Sequence, residues 1–522
     1  MIVGDPGPAG TVDAATPPNP SAGRDPRLFE TEHLRGDLAG RSVRGAVVTM
    51  LGQAGNFVVQ LAGTALLARL LVPEDFGVFG KTIALTGFIT VIRDGGLALA
   101  TIQRARITHD QISNLFWLNL LLGLLAAALI AALSPAMAWF YRDPRVLWIG
   151  LALAGASIIS SLSVQHTALM QRQMRFGAIA LIGTIGMLVG FASAIVGAWR
   201  GAGVWALAVQ QYASGLTTAL LVFATCRWRP GLPRRGTGVR PMIRIGAHQT
   251  GFGILNFANR NLDNVLIGRF VSDAALGFYT QAYRLLLLPI QQINSPISGV
   301  VVPALSRLQD QPERYARYYY RAIGAIVLAG MPIIGFLMVD ARPVIQLVLG
   351  PTWLPTVPIF QALGLAAFLG TFNVAGGWVY ASLGRTDRQF RWQLVSTPAI
   401  VLSFVLGLPW GALGVACAFS GMCLILVGPA LHYCFRGTPI SLSRFVRAIA
   451  RPSLAAVAAA GATVAVRLLL GPALGHDGAG LTGLLVDGVV YAGAYVLACA
   501  ASGGWDQVRD ILRLWERGPG KE

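Results

Sequence analysis

The chain has 522 residues, of which 54% are hydrophobic and only 12% charged, and its formal net charge is +18. Soluble domains carry about 25% charged residues, so the composition excludes a water-soluble fold of this size. The mean hydropathy of +0.60 and apolar runs of about 20 residues predict transmembrane helices, which satisfy their backbone hydrogen bonds within lipid.

In chain order, the sequence begins with a segment rich in Pro, Gly, Ala and Asp, and no apolar core follows a charged start. We expect a disordered cytoplasmic tail there rather than a signal peptide. Fourteen apolar spans follow, at 45–68, 78–100, 113–134, 146–166, 176–198, 203–225, 246–267, 275–302, 319–339, 356–382, 392–409, 411–433, 446–470 and 483–502. They divide the chain into a tail (1–40), an N-lobe (41–226), a basic cytoplasmic linker (227–244), a C-lobe (245–436), a last helix pair (437–504) and a cytoplasmic tail (505–522).

The basic residues test this count of spans, because cytoplasmic loops are enriched in Lys and Arg. With the N-terminus inside, 30 of the 41 basic residues fall on inner segments and four within spans. The outer segments hold only seven, namely Arg69, Lys81, Arg142, Arg145, Arg200, Arg269 and Arg342. The alternation predicts an even number of spans with both termini inside, and it explains the net charge without nucleic acid.

Two local matches predict an internal repeat. Arg69 followed by Phe76-Gly77 corresponds to Arg269 followed by Leu276-Gly277, at an offset of 200 residues. The segments 172–176 and 388–392 match at an offset of 216, in the same order along each half. Six spans separate the equivalents, so the halves share one orientation, and such repeats usually pack around a central cavity. We therefore predict an all-α polytopic membrane protein with two parallel six-helix lobes around a central cavity, plus two C-terminal helices.

Polar residues inside the spans are the candidate lining of this cavity, because a charge at the bilayer centre costs about 2.5–3.5 kcal/mol on insertion scales. They concentrate on the second, seventh and eighth spans. The candidates are Arg93, Asp94, Gln249, Asn256, Asn259, Arg260, Asp263, Gln281, Arg284, Gln291, Gln292 and Asn294. Arginine can bind phosphate through two parallel hydrogen bonds, and amides can both donate hydrogen bonds to sugar hydroxyls and accept hydrogen bonds from them.

A structural interpretation of the charges remains open. Arg93 with Asp94, and Arg260 with Asp263, can form buried ion pairs that only hold helices together. Arg284 has no acidic neighbour on its own helix, which makes it the strongest ligand candidate. Arg467 and Asp487, on the last two spans, are assigned a structural role, either near a helix end or as partners of each other.

The sequence contains no recognisable catalytic, metal-binding or ATP-binding motif. We therefore expect neither enzyme activity nor a cofactor. Transport would be driven by an ion gradient, the substrate gradient or the membrane potential, and Asp94 and Asp263 are candidate carriers of a coupling proton or sodium ion.

Several segments resemble bacterial polysaccharide flippases of the Wzx type, particularly the WzxC-like branch, within the MOP exporter superfamily. The residues that carry the resemblance are Leu66–Gly77, Asp94–Leu97, Ile102-Gln103, Ile107-Thr108 through Phe116–Asn119, Asp263-Asn264 through Ile267–Arg269, Gly277–Tyr279, Tyr283-Arg284, Pro289 and Val302–Arg307. The resemblance implies lobes that rock between inward-open and outward-open states and flip an undecaprenyl-diphosphate-linked oligosaccharide across the inner membrane. It also implies that Arg93, Arg260 and Arg284 contact the diphosphate.

Two alternatives remain from the sequence. A drug exporter of the same superfamily would need an acidic cavity, and a polysaccharide polymerase would need a large outer loop. The expected partners of the flippase are a lipid-linked anionic oligosaccharide, membrane lipids, and the polymerase and glycosyltransferases of polysaccharide synthesis.

Overall fold

The computed structural model describes residues 38–94, 97–103, 107–236, 257, 260–474 and 480–502. The predicted tails lie outside these residues, except for 38–40, as do positions 237–244 of the predicted linker. The α-helices of the described part are α1 (Leu38–Leu70), α2 (Pro73–Asp94), α3 (Leu97–Gln103), α4 (His109–Tyr141), α5 (Arg145–Arg172), α6 (Phe176–Trp199), α7 (Trp205–Cys226), α8 (260–270), α9 (Asp273–Arg307), α10 (Pro312–Val339), α11 (Ala341–Val348), α12 (Thr356–Ser382), α13 (Thr386–Gly407), α14 (Gly411–Phe435), α15 (Leu442–Leu474) and α16 (Leu481–Ala501).

These helices follow the predicted spans. Within the described residues, ten helical segments are long and apolar enough to cross a membrane, and one of them, Thr386–Phe435, contains both α13 and α14. Helix α1 matches the first predicted span, α2 with α3 the second, and α8 the end of the seventh. The all-helical polytopic fold predicted from hydropathy is confirmed.

Helix starts follow local sequence signals. Thr108 caps α4 and forms a capping box with Gln111, each side chain accepting a hydrogen bond from the backbone N–H of the other. The Ser272 side chain caps α9 by accepting from the Ala275 N–H at 3.1 Å. These caps fix where two long helices begin, α4 at the predicted inner end and α9 at the predicted outer end.

Most exposed tryptophans of the described residues lie near one level of the molecule. Five of the six lie within four residues of a helix end that the charge pattern assigns to the outside, namely Trp139, Trp148, Trp199, Trp205 and Trp410, whereas Trp117 lies in the inner half of α4. Tryptophan is enriched at membrane–water interfaces, where its amphipathic ring sits at the level of the headgroups. This band is independent of the arginine pattern and agrees with it.

Helices α2 and α9 meet through two repeat-related glycines. A Cβ on Gly77 would collide with the carbonyl oxygen of Asp273, and a Cβ on Gly277 would collide with that of Pro73. On each helix, therefore, a glycine lies against the backbone of the other helix. Equivalent surfaces make the same kind of reciprocal contact across a two-fold interface. The reciprocal contact supports the repeat at an offset of 200 residues.

Arginines of the second repeat match donate hydrogen bonds to backbone carbonyls in both halves, but the residues aligned by the match do not make equivalent contacts. In the first half, Arg175 donates to the Thr225 carbonyl at the end of α7, at 3.2 Å. In the second half, Arg388 donates to the carbonyls of Tyr433 and Arg436 at the end of α14. The sequence match instead aligns Arg388 with Arg172, which donates to the Thr101 carbonyl at 3.2 Å.

The last two helices are attached by a buried charge cluster. Arg467 of α15 donates to Asp487 of α16 at 2.5 Å, so the predicted pair is formed. It also donates to Asp340, directly after α10, which the sequence analysis did not include. Both carboxylates are fully buried. The cluster joins α15 and α16 to the end of α10.

Candidate functional site

A cavity with a volume of about 660 Å³, called here the C-lobe cavity, lies between α9, α12, α13 and α14. Arg260 of α8 lies on its wall. The remaining polar lining is made of amides and hydroxyls, from Gln291, Asn294, Ser295, Ser298, Asn373, Gln393, Ser396 and Tyr283. Leucine, isoleucine and valine side chains, with Trp392 and Phe419, form the apolar part.

One face of α9 supplies a whole side of this cavity. Leu287, Gln291, Asn294 and Ser298 follow one another at helical spacings of three or four residues, so their side chains lie on one stripe. Helix α9 also contains three prolines, and proline inside a helix leaves a backbone carbonyl without its usual partner. Such helices are tolerated in membranes where they line protein or water.

Arg260 is an unpaired cation within the described part of the chain. Its side chain is exposed, and no described carboxylate forms an ion pair with it. Asp263 is buried and accepts instead from the Tyr279 hydroxyl and the Asn264 backbone N–H, each at 2.8 Å. The local Arg260–Asp263 ion pair considered from the sequence is therefore not formed, and the guanidinium is available to a ligand.

The other predicted residues of α9 lie outside this lining. Gln281 is buried, and its Oε1 atom has no hydrogen-bond partner among the described residues. Arg284 follows Thr280 by one turn, and Thr280 lies 3.5 Å from a Cβ built on Gly80 of α2. Arg284 therefore lies on the side of α9 that faces α2. Gln292 is partly buried beside Gln291 and does not line the cavity.

The remaining predictions fall outside what the structure describes. Arg93 and Asp94 are the last residues of a described helix, but their side chains are not described. Gln249, Asn256 and Asn259 lie outside the described residues altogether. The roles assigned to all five remain predictions.

The sequence analysis missed the cavity residues from α12 and α13. Asn373 is one of two amides in the tenth span, with Gln361, so a search for polar residues within the spans would have found it. Trp392 is the last residue of the second repeat motif and stacks on Tyr433 with a centroid distance of 5.8 Å, and Gln393 follows the motif directly. Both residues line the C-lobe cavity, and α13 packs on α14.

A second charged region joins α2 to α9 at their predicted outer ends, and we call it the outer seam. Lys81 of α2 forms an ion pair with Asp273 of α9 and lies 3.9 Å from Asp143. Arg145 bridges both carboxylates, at 3.0 Å to Asp143 and 2.6 Å to Asp273. Burial opposes ionisation of Asp143, but its hydrogen bonds and charge interactions with Arg145 and Lys81 outweigh burial and lower its pKa.

The side chains of the described residues do not bring together three His, Cys, Asp or Glu residues able to hold a metal ion. The chemistry of the C-lobe cavity is thus that of one guanidinium, several amides and hydroxyls, and an apolar wall. Such a surface can bind a polar anion attached to an apolar chain.

A family model described as polysaccharide biosynthesis protein matches residues 66–358, more than half of the sequence. The chain belongs to this family. The matched segment includes the outer seam, Arg260 and the polar stripe of α9, and it confirms the resemblance to polysaccharide flippases.

Curated relatives of this polysaccharide biosynthesis protein cover most of its length. The lipopolysaccharide biosynthesis protein WzxC of Escherichia coli (strain K12) is 26% identical over 392 residues, which is 73% of this chain and 78% of the relative. The succinoglycan biosynthesis transport protein ExoT of Rhizobium meliloti (strain 1021) is 24% identical over 321 residues, or 61% of this chain and 64% of the relative.

Among solved structures, the lipid II flippase MurJ in an inward closed conformation is similar, with a TM-score of 0.69 at 13% sequence identity. The superposition covers 90% of this chain and all of that chain. At this identity the likeness establishes the fold alone, which this chain shares with MurJ.

Proposed function

We propose that this protein is a flippase that moves an undecaprenyl-diphosphate-linked oligosaccharide across the bacterial inner membrane by alternating access. Its product would supply exopolysaccharide, capsule or O-antigen synthesis. Membership of the polysaccharide biosynthesis family, a relative named as a transport protein, and the flippase fold all support this function.

The proposal rests on the residues that line the C-lobe cavity. Arg260 projects into about 660 Å³ of space without a described carboxylate partner, beside amides of α9, α12 and α13. A guanidinium binds a diphosphate through two parallel hydrogen bonds, and the amides match the donors and acceptors of sugar hydroxyls. Trp392 and the aliphatic lining offer apolar surface to the sugar faces and to the lipid chain.

The same chemistry argues against export of cationic drugs. A cation-binding cavity needs negative charge, and the described lining of the C-lobe cavity contains Arg260 and no carboxylate. We expect no enzymatic reaction, and we expect the energy for transport to come from a proton or sodium gradient, the substrate gradient or the membrane potential. Asp94 and Asp263 remain the candidate ion carriers.

The proposed setting is the inner membrane with both termini in the cytoplasm, in line with the arginine alternation and the tryptophan band. Glycosyltransferases would complete the substrate on the inner side, and a polymerase would take it on the outer side. The outer seam would open during the step that releases the flipped lipid.

The test uses full-length protein in proteoliposomes that contain a lipid-diphosphate oligosaccharide. The fraction that reaches the far leaflet is measured with a membrane-impermeant sugar-modifying enzyme. We expect Arg260→Gln to slow flipping at least about tenfold, the factor that corresponds to 1.4 kcal/mol of lost interaction. Arg200→Gln, an exposed outer arginine away from the cavity, is the matched control.

Unchanged flipping by Arg260→Gln would overturn the assignment of the C-lobe cavity. Efflux of a cationic dye in place of lipid flipping would overturn the flippase itself. Arg284→Ala tests the separate prediction that Arg284 also contacts the diphosphate, and export should be lost while the protein remains in the membrane.

A further inference from the structure

Basic residues on the outer side of the protein are few, and most of them gather in one place. Four of the seven outer basic residues, Lys81, Arg142, Arg145 and Arg269, line a single open pocket of about 640 Å³ at the outer seam. The orientation rule disfavours positive charge on this side of the membrane. A cluster of four therefore needs an explanation other than topology.

Ion pairing accounts for only half of this charge. Asp143 and Asp273 are the carboxylates in the lining, and they pair with Lys81 and Arg145. Four cations against two carboxylates leave two positive charges. Arg142 and Arg269 form no ion pair with any described residue, and Arg269 instead lies over the Phe140 ring at 5.7 Å and the Phe270 ring at 5.4 Å.

The backbone of Arg142 gives a second, independent observation. It follows the last residue of α4 in the left-handed conformation, with φ 55° and ψ 37°, and its backbone N–H donates to carbonyl oxygens in the last turn of the helix. Glycine is the usual residue at this position because side chains raise the energy of that conformation. Arg142 therefore adopts a backbone conformation that a glycine would adopt at lower cost, and its side chain supplies one of the two unpaired charges of the pocket.

We propose that this pocket, the outer anion pocket, binds a phosphate-class anion at the outer face of the membrane. Arg142 and Arg269 supply the unpaired charge, and the aromatic rings under Arg269 hold its guanidinium at the pocket wall. Phosphate oxygens bind arginine through strong charge-assisted hydrogen bonds. The anion is either the phosphate group of a lipid or a free phosphate compound.

The pocket deepens the proposed function, on which this part of the inference rests. Arg269 and Asp273 lie on α8 and α9, whereas Lys81, Arg142, Asp143 and Arg145 come from α2 and the junction of α4 with α5. When α2 and α9 separate, Arg269 moves away from Arg142, and the two unpaired arginines no longer share one pocket. An anion held by both arginines therefore binds more strongly in the closed state, and by linkage a bound anion favours closure of the outer seam.

The binding test uses the full-length protein in nanodiscs of neutral phosphatidylcholine, with inorganic pyrophosphate as the probe. Arg142→Gln with Arg269→Gln should weaken pyrophosphate binding at least about tenfold. Arg200→Gln should not change it, and an Arg260→Gln background removes any contribution from the C-lobe cavity. Unchanged affinity in the double variant, or no binding by the unaltered protein, overturns the proposal.

Arg142→Gly separates a role in binding from a structural role. Glycine relieves the left-handed backbone, so this variant should unfold at a higher temperature and yet bind pyrophosphate more weakly. A variant that loses both stability and binding would mean that Arg142 serves the fold, which contradicts the proposal.

Nanodiscs that contain phosphatidylglycerol identify the source of the anion. Weaker pyrophosphate binding in those discs assigns the pocket to lipid headgroups, and equal binding assigns it to the free anion. The flipping assay on the same variants keeps the two proposals separate. If Arg260→Gln flips slowly and the double variant keeps its pyrophosphate affinity, only the outer anion pocket is rejected. If Arg260→Gln flips normally and the double variant binds pyrophosphate more weakly, only the assignment of the C-lobe cavity is rejected.

Discussion

The C-lobe cavity and the outer seam use similar residues for opposite purposes. At the outer seam, Lys81 and Arg145 meet carboxylates, and glycines bring two backbones into contact. In the C-lobe cavity, Arg260 and the amides around it face open space. A charge inside a membrane protein therefore becomes a structural element where the chain supplies its partner, and a binding element where it does not.

The largest expected effect comes from breaking the seam's ion pairs. Asp273→Asn leaves the buried Lys81 with only Asp143, 3.9 Å away. Removing one partner of a buried pair costs about 3–5 kcal/mol, and we expect about 3 kcal/mol because Asp143 remains. Thermal or denaturant unfolding in detergent measures this change.

The control for this prediction is an exposed ion pair. Asp110→Asn removes the partner of Arg234, at 3.2 Å, and both side chains are exposed. Exposed pairs contribute about 0–1 kcal/mol. Equal losses of stability in the two variants would contradict the distinction between a buried seam and an ordinary surface pair.

A steric change at the same seam should have a somewhat smaller effect. Gly77→Val places a side chain against the Asp273 backbone, and Gly277→Val does the same against Pro73. We expect each to destabilise the closed seam by about 1–3 kcal/mol, the usual cost of overpacking, and to raise accessibility from outside. Gly183→Val, where a Cβ meets nothing within 4 Å, should have little effect on either measurement.

The pH dependence should distinguish the outer seam from the Asp340 cluster. The pKa of Asp143 is lowered, so its contribution to stability is complete above about pH 4 and is lost only as the pH falls further. Burial raises the pKa of Asp340 to about 6, although Arg467 opposes the shift and the neighbouring Asp487 adds to it. Asp340 therefore binds a proton more tightly when folded, and its contribution declines as the pH rises from about 4 to about 6.

Unfolding measured between pH 4.5 and 8 tests this contrast. The decline should amount to at most about 3 kcal/mol, since one pKa unit corresponds to about 1.4 kcal/mol. Asp340→Asn should remove it, whereas Asp143→Asn should leave it in place. A decline that persists in Asp340→Asn would assign the titration to another group.

The smallest expected effect on stability lies in the C-lobe cavity. Arg260→Ala removes no described ion pair, so the free energy of unfolding should change by less than about 0.5 kcal/mol. The same variant should lose flipping. A stability loss as large as that of Asp273→Asn would show that Arg260 is a structural partner and would remove the contrast between the two regions.

Hydropathy was sufficient to predict the all-helical polytopic fold, because lipid leaves the backbone few alternatives to helices, and the orientation read from the arginine alternation stays a prediction. The candidate site was predicted only in part. Arg260, Gln291 and Asn294 share the C-lobe cavity, because helical spacing places residues of one helix on one face. Asn373 and Gln393 come from other helices, and their meeting with α9 depends on helix packing that no local pattern encodes.

The same limit explains the outer seam. Lys81 entered the sequence analysis only as one charge in a topology count, whereas its partner Asp273 lies 192 positions further along the chain. Asp263 was grouped with Arg260 by helical spacing, but the Tyr279 hydroxyl from the next helix binds it instead. Partners within one helix follow from sequence spacing, and partners across helices follow from tertiary structure.

The buried position of Lys81 provides a natural reporter. The sequence contains two lysines, at positions 81 and 521, and Lys81 is only 4% exposed while the seam is closed. An ammonium group held in an ion pair reacts slowly with acylating reagents, so modification of residue 81 would count opening events in the unaltered protein. Mass spectrometry of acylated peptides could then follow the transport cycle in membranes without an introduced cysteine or dye.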